Sequence, residues 1–455
     1  MRLYGLLFIM LSSPLTLWAQ HGAANSAGAA WATDSRREKA ATTTNSNTNS
    51  RSRNSSQIRS SGHTSGFRSN TTPQPRRAAD PAVANAEVGS SRPLLPGESH
   101  LALPLTNTEL APERPYRASW SLSLGGQFIR DSLANQKTQA ALGLNLGLDY
   151  NFTEMFALNV QPRVSFRNGH VQAASATNGR ENSLELLNAA AVFSDRNYFA
   201  LTAGALDMTQ THSTLLVAST FPAAKAMLST GETRALSLSL SAMAAVPSSA
   251  TLTNNSQDYD KTPSFSSAAL RVRYQGERFE ALAQVATFQF RDLPLNVSTD
   301  STYLGNTPLG ADNSPQNEFR YRFQGQEARL GAGVQISRRL NYRFQGAVIR
   351  NAEAPEGLST GYLLGNQIEF VMNGNWTLAP SFSYFRVEPD ATIANYNDAM
   401  TTTNRIGYAT GMSFHYKKMF KVGALGGERE VVYLKTSQAR ERFMNLTLET
   451  FDVPF

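Results

Sequence analysis

The chain has 455 residues, a formal net charge of +7, only 17% charged residues and no cysteine. The missing cysteine excludes a disulfide framework, a thiolate metal site, a cysteine nucleophile and a lipid anchor on an N-terminal cysteine. The low charge content and the abundance of Ser, Asn, Thr, Gly and Ala set the chain apart from an ordinary soluble enzyme.

Residues 1–19 read as a cleavable signal peptide. Arg2 supplies the positive start, Gly5 to Leu11 is uninterrupted apolar sequence, and Leu17-Trp18-Ala19 precedes the expected cut. The apolar stretch is shorter than the roughly 20 residues a spanning helix needs, and no later segment has such a run. A chain that leaves the cytoplasm without helical spans is either soluble or a barrel. In lipid only a closed barrel otherwise satisfies the backbone polar groups.

Residues 20–115 read as a disordered, basic, Ser/Asn/Arg-rich arm, expected in the periplasm. Trp31 and Phe67 are its only aromatics, too few to build a core. Between Gln20 and Leu110 ten basic residues face six acids, so the arm carries +4 of the +7. A solvated spacer accounts for this composition. Nucleic acid is not an expected partner for an exported tail, although anionic envelope polymers are.

Residues 116–455 have a different texture, with a period of two. Trp120, Leu122, Leu124 and Phe128 share one face and Ser119, Ser121, Ser123 and Gln127 the other. Leu142, Leu144, Leu146, Leu148 and Tyr150 oppose Asn145 and Asp149, and Val164 and Phe166 oppose Arg163, Ser165 and Arg167. The alternation continues through Leu236–Ser241, Leu270–Tyr274, Arg329–Ile336 and Ile406–Phe414. Such runs are strands with one apolar and one polar face. Leu184–Phe193 and Phe279–Phe290 do not keep one phase, and no convincing amphipathic helix is visible.

Several runs reach about ten residues, the length of a tilted strand crossing a bilayer rather than a sandwich strand. Aromatics fall near strand ends, as at Tyr150, Phe156, Tyr274, Tyr342, Trp376 and Tyr416, where interfacial girdles belong. Short connections alternate with long ones such as Pro247–Pro263, Arg291–Gln326 and Glu388–Thr403. Keeping the short turns on one side requires a strand between Met208 and Gly231, for which Ser213–Thr220 (STLLVAST) is the expected segment. The fold class is therefore all-β: a transmembrane antiparallel β-barrel of about 16 strands, preceded by the arm. About 14 or 18 strands remain open.

The final residues, FDVPF, place Phe451, Val453 and Phe455 on one face. This end resembles the closing strand of Gram-negative outer-membrane β-barrels, porin-like ones among them. Thr447, Glu449 and Pro454 depart from that pattern. The resemblance implies outer-membrane lipid around the barrel, recognition of Phe455 by the barrel-insertion machinery, and an oligomer as one option.

No residue set presents itself as catalytic, and the chain is not expected to be an enzyme or to hold a cofactor or metal. Gly357-Leu358-Ser359-Thr360-Gly361 fits G-x-S-x-G but lies in a loop entering a strand, the reverse of a nucleophile elbow. The six His lack metal-ligand spacing. Asn254, Asn255, Asp258 and Asp260 are hard-oxygen candidates for Ca²⁺, better explained as a polar loop. The informative set is basic and lies on the polar faces: Arg163, Arg167, Arg271, Arg273, Arg329, Arg343 and Arg405, with Glu369 among fewer acids. Such residues are expected to line a pore and to favour anions. The expected function is passive diffusion of small hydrophilic solutes. The alternative is a plugged or structural barrel that binds envelope polymers or partners.

Overall fold

The computed structural model describes residues 116–454, apart from 133–135, 173–177, 196–197, 231–234, 248–261, 311–317, 374, 418, 436–437 and 452. The expected signal peptide, the arm, the Asn254–Asp260 loop and Phe455 lie outside the described residues.

Sixteen antiparallel strands form one closed sheet. They are β1 (Tyr116–Asp131), β2 (Gln136–Asn151), β3 (Phe156–Gln172), β4 (Asn178–Ser194), β5 (Phe199–Asp207), β6 (Thr220–Ser229), β7 (Leu236–Ala245) and β8 (Ser264–Gln275). The ring continues with β9 (Phe279–Arg291), β10 (Gln324–Ser337), β11 (Leu340–Asn351), β12 (Thr360–Val371), β13 (Trp376–Val387), β14 (Arg405–Tyr416), β15 (Phe420–Val431) and β16 (Glu441–Thr450). Each strand pairs with its sequence neighbours, and β1 closes the ring on β16 from Ser123↔Glu449 to Asp131↔Glu441. A short piece, Val453–Pro454, continues onto β1 after a one-residue slip, with Trp120 opposite Val453. Closure leaves no edge strand to cap.

The alternation read from sequence is the alternation of the wall. Leu142, Leu144, Leu146, Leu148, Leu238, Leu240, Leu270 and Leu330 are all exposed on the outside. Their neighbours turn inward. The phase break in β4 has a local cause: Gln161 pairs with Asn188 but Pro162 pairs with Leu186. Leu187 is therefore an extra residue, a bulge opposite the proline that cannot donate to the ladder. β9 is different. It keeps its phase throughout, but Leu282, Phe288 and Phe290 on its inner face are buried and apolar, so both faces read as apolar.

Short turns such as 152–155, 195–198, 276–278, 338–339 and 417–419 lie at one end, and the long segments 208–219, 292–323 and 388–404 at the other. Side chains fix the turns. Asp195 accepts from the Tyr198 and Phe199 amides at 2.7 and 2.9 Å, and Thr153 Oγ1 accepts from Phe156 N at 3.0 Å.

The expected strand at Ser213–Thr220 does not form. Its strand is β6, which begins where that segment ends, while 208–219 runs inward through a 3-10 turn at Met208–Gln210. Leu215, Leu216 and Val217 have no exposed surface. Three consecutive apolar residues suit a segment packed on all sides better than a wall strand, whose alternate residues must meet different surroundings. The described residues of 292–323 also pack inward and include a helix, α1 (Leu295–Leu304), whose Val297, Ser298, Ser301 and Thr302 are buried. With 388–404, these segments and the inner faces of β4–β9 and β11–β13 form one apolar cluster, including Phe221, Phe265, Phe290, Ile349, Phe385, Ile393 and Tyr396.

Candidate functional site

The inner surface of the barrel divides into two walls. Along β1–β4 it is a ladder of small polar groups. Ser123 Oγ donates to Gly143 O at 3.3 Å, Asn145 Nδ2 to Ser121 Oγ at 3.2 Å, and Asn188 Nδ2 to Asn159 Oδ1 at 2.7 Å. Asn159 also donates to Asp149. Along β6–β13 the interior is occupied by the three inward segments.

Buried asparagines knit these segments together. Asn306, fully buried, donates to Pro389 O (2.6 Å) and Thr392 O (2.7 Å) and accepts from Ala394 N (2.9 Å), joining 292–323 to 388–404. Asn351 donates to Arg322 O and Asp390 O, both at 2.9 Å. These side chains stand in for a backbone ladder where irregular chain is buried.

Segment 208–219 is held to the wall by a polar latch. His212 Nδ1 lies 2.8 Å from Glu327 Oε2 on β10, and His212 Nε2 lies 3.0 Å from Ser267 Oγ on β8. Ser213 N donates to the other Glu327 oxygen at 2.5 Å. His212 and Glu327 have no exposed surface. A hydrogen on Nδ1 satisfies the carboxylate and leaves Nε2 to accept from the Ser267 hydroxyl. Lys225 on β6 adds a bond to Thr211 Oγ1 (2.9 Å), Gln284 on β9 one to Thr211 O (2.6 Å), and Arg271 one to Gln210 O (3.2 Å).

Serine, histidine and glutamate here stand in the order of a nucleophile–base–acid relay. Every member also has a structural role, because together they carry the first turn of the inward segment. Ser359 is buried at the entry to β12, with no helix after it. Among the described residues no group of three His, Asp or Glu is placed to hold a metal.

The expected lining residues do not form a single ring. Arg163 and Arg167 lie on the inner face of β3, and Arg167 pairs with Glu185 at 3.4 Å. Arg271 and Arg273 lie on β8 and Arg329 on β10. Arg271 binds Gln284 Oε1 at 2.8 Å and lies within electrostatic reach of Arg329 and Glu327. Arg343 on β11 pairs with Glu369 on β12 at 3.1 Å. Arg405, at the long-loop end of β14, shares Glu441 with Arg429 at 2.9 and 2.6 Å. Arg167, Arg343 and Arg405 are therefore paired with acids rather than standing as free charges. Lys225, His212, Ser267, Gln284 and Asn306 were not singled out from sequence. Lys225 had a signal, as the only charge in the alternating run Pro222–Leu228.

On the outside, aromatic pairs ring the short-turn end. Tyr150–Phe152 centroids are 4.5 Å apart, Phe193–Phe199 5.7 Å, Tyr274–Phe279 5.8 Å and Trp376–Tyr416 4.7 Å. Phe128 and Phe166 are exposed towards the other end.

No family model and no curated protein matches the sequence. Among solved structures, the chain is similar to Pseudomonas aeruginosa OccK7 (OpdD), at 11% identity and TM-score 0.41 over 75% of this chain and 99% of that one. Salmonella typhi OmpF in complex with daunomycin is similar at 10% identity and TM-score 0.43, over 73% and 97%. A triple mutant of the Rhodopseudomonas blastica porin is similar at 10% and 0.38, over 74% and 100%. The barrel described above rests on this chain's own strand order and closure.

Proposed function

We propose that the protein is a porin-like diffusion channel of the Gram-negative outer membrane, through which small hydrophilic solutes cross. The observation that carries this reading is the inverted amphipathicity of a closed barrel. Large apolar side chains such as Leu146, Leu240 and Leu330 are exposed outside, while Ser, Asn and Arg face inward. Water would leave that outer surface unsatisfied and hydrocarbon would cover it. The aromatic pairs at the short-turn end match the level of a lipid–water interface. On this reading the short turns face the periplasm. A ring of sixteen strands is wide enough for an aqueous lumen, and the inward segments narrow it from the β6–β13 side. Arg163, Arg167, Arg271, Arg273, Arg329, Arg343, Arg405 and Glu369 then line or border the path, with an excess of positive charge that favours anions.

A second reading, a barrel closed by its own inward segments, is favoured by their apolar packing around Leu216, Ile393 and Tyr396. Single-channel recording of the refolded protein in a planar bilayer under a salt gradient separates the two. Stable current steps, with a reversal potential of anion-selective sign, are expected from the channel. Folded protein that never conducts overturns it in favour of the closed barrel.

A further inference from the structure

Where segment 208–219 meets β10–β12 there is a cavity of about 60 Å³, several times the ~10–15 Å³ that one water requires. Ser213, Arg329, Arg343 and Gln367 are among the residues that line it. Ser213 Oγ, Arg329 Nη1 and Gln367 Oε1 are buried and have no hydrogen-bond partner among the described residues. Their residues are only 5%, 7% and 7% exposed. Unmade hydrogen bonds on such groups are destabilising, so three at residues lining one cavity are a costly arrangement unless something fills it.

The charge around the cavity is positive. Arg329 and Arg343 line it directly, and Arg271 and Lys225 lie behind the latch. Glu369 and Arg343 offset each other and Glu327 is engaged by His212 and Ser213 N, which leaves Arg329, with Arg271 and Lys225 behind it, in excess. The donor set therefore calls for an oxyanion. Gln367 Oε1 is different, because it accepts. An acceptor inside an anion site is met by a ligand that keeps a proton of its own and not by one that has none.

We propose that this cavity is a binding site for hydrogen phosphate. Arg329 Nη1, Arg343 and the Ser213 hydroxyl bind its charged oxygens, and Gln367 Oε1 accepts from its P–OH. Sulfate has the same shape but no proton at neutral pH, so it leaves Gln367 unpaired. The site deepens the channel reading by placing a resting point for one solute class on the lumen wall.

The test is calorimetric titration of the folded, detergent-solubilised protein with phosphate and with sulfate at neutral pH and constant ionic strength. Phosphate is expected to bind at least ~10-fold more tightly than sulfate. Arg329→Gln should weaken phosphate binding at least ~10-fold through loss of a charge-assisted bond. Ser213→Ala, which removes a hydroxyl with no partner among the described residues, should weaken it ~3- to 10-fold and so gives an answer even if Arg329→Gln fails to fold. Gln367→Leu should abolish the difference between the two anions. No phosphate binding, equal binding of sulfate, or binding indifferent to Ser213→Ala overturns the site. Because the titration needs no open lumen, phosphate binding by a protein that never conducts would overturn the channel and leave the site standing, whereas conduction without phosphate binding would do the reverse.

Discussion

The β1–β4 wall and the β6–β13 wall are built on the same alternating strands, yet their inner faces follow different rules. On β1–β4 the inward residues include Ser121, Ser123, Asn145 and Asn159, short polar groups hydrogen-bonded across neighbouring strands, beside Arg163 and the Arg167–Glu185 pair. On β6–β13 they are Phe265, Phe288, Phe290, Ile349 and Phe385 near the long-loop end, because buried chain lies against them. The outward faces of both walls stay apolar. The outer face is thus dictated by what surrounds the barrel, and the inner face by what the loops bring into it.

The sharpest way to break this contrast is at the latch. His212→Ala leaves the Glu327 carboxylate buried without its main partner, which costs about 3–5 kcal/mol. We expect a markedly lower unfolding midpoint and larger, noisier single-channel currents as segment 208–219 loosens. Asn145→Ala on the polar wall should change the unfolding midpoint by the equivalent of about 1 kcal/mol or less.

Asn306→Ala comes next. It orphans three buried backbone groups and should cost about 3 kcal/mol or more, read as earlier thermal unfolding together with faster hydrogen exchange in both 292–323 and 388–404. Unchanged exchange in either segment would show that they do not support each other through this side chain.

A smaller effect tests the segments through pH. Asp390 lies beyond the end of β13, and burial pushes its carboxyl above the ordinary 3.8, with the Thr307 amide among the opposing influences. Burial raises Asp398 in the same way. The folded state then holds these protons more tightly than the unfolded chain does. The associated stability is fully present below about 3.8 and is lost as pH rises through the raised values. Asp390→Asn should flatten that part of the profile, measured as unfolding midpoint against pH. The smallest expected effect is Asp195→Ala at the β4–β5 turn, about 1 kcal/mol from two lost amide bonds, with the current unchanged.

The outer half of this design was legible in the sequence. Leu142 to Tyr150 and Leu236 to Leu240 declare a two-residue period, and turn parity called for a strand between Met208 and Gly231. The inner half was not legible where it depends on distant packing. Turn parity pointed to STLLVAST as that strand, but its apolar residues are consecutive rather than alternating because the segment is enclosed on all sides. Phe279–Phe290 lost its phase signal for the same reason. Leu184–Phe193 lost it to a bulge opposite Pro162, a local irregularity whose one sequence signal is the proline in the facing strand. The basic residues were legible as an inward set, but their partition among Glu185, Glu369 and Glu441 depends on strand pairing that alternation alone does not fix.

The division of the interior is tested most directly by thiol labelling, since the chain has no cysteine of its own. Ser123→Cys places a single thiol on the polar wall, and Ala286→Cys places one on the inner face of β9, where Ala286 is buried. A charged, water-soluble methanethiosulfonate applied during single-channel recording should react with the first and reduce the current, while leaving the second untouched. Equal reaction at both positions, or a current indifferent to modification of Ser123→Cys, would contradict an interior divided between an aqueous polar wall and a packed one.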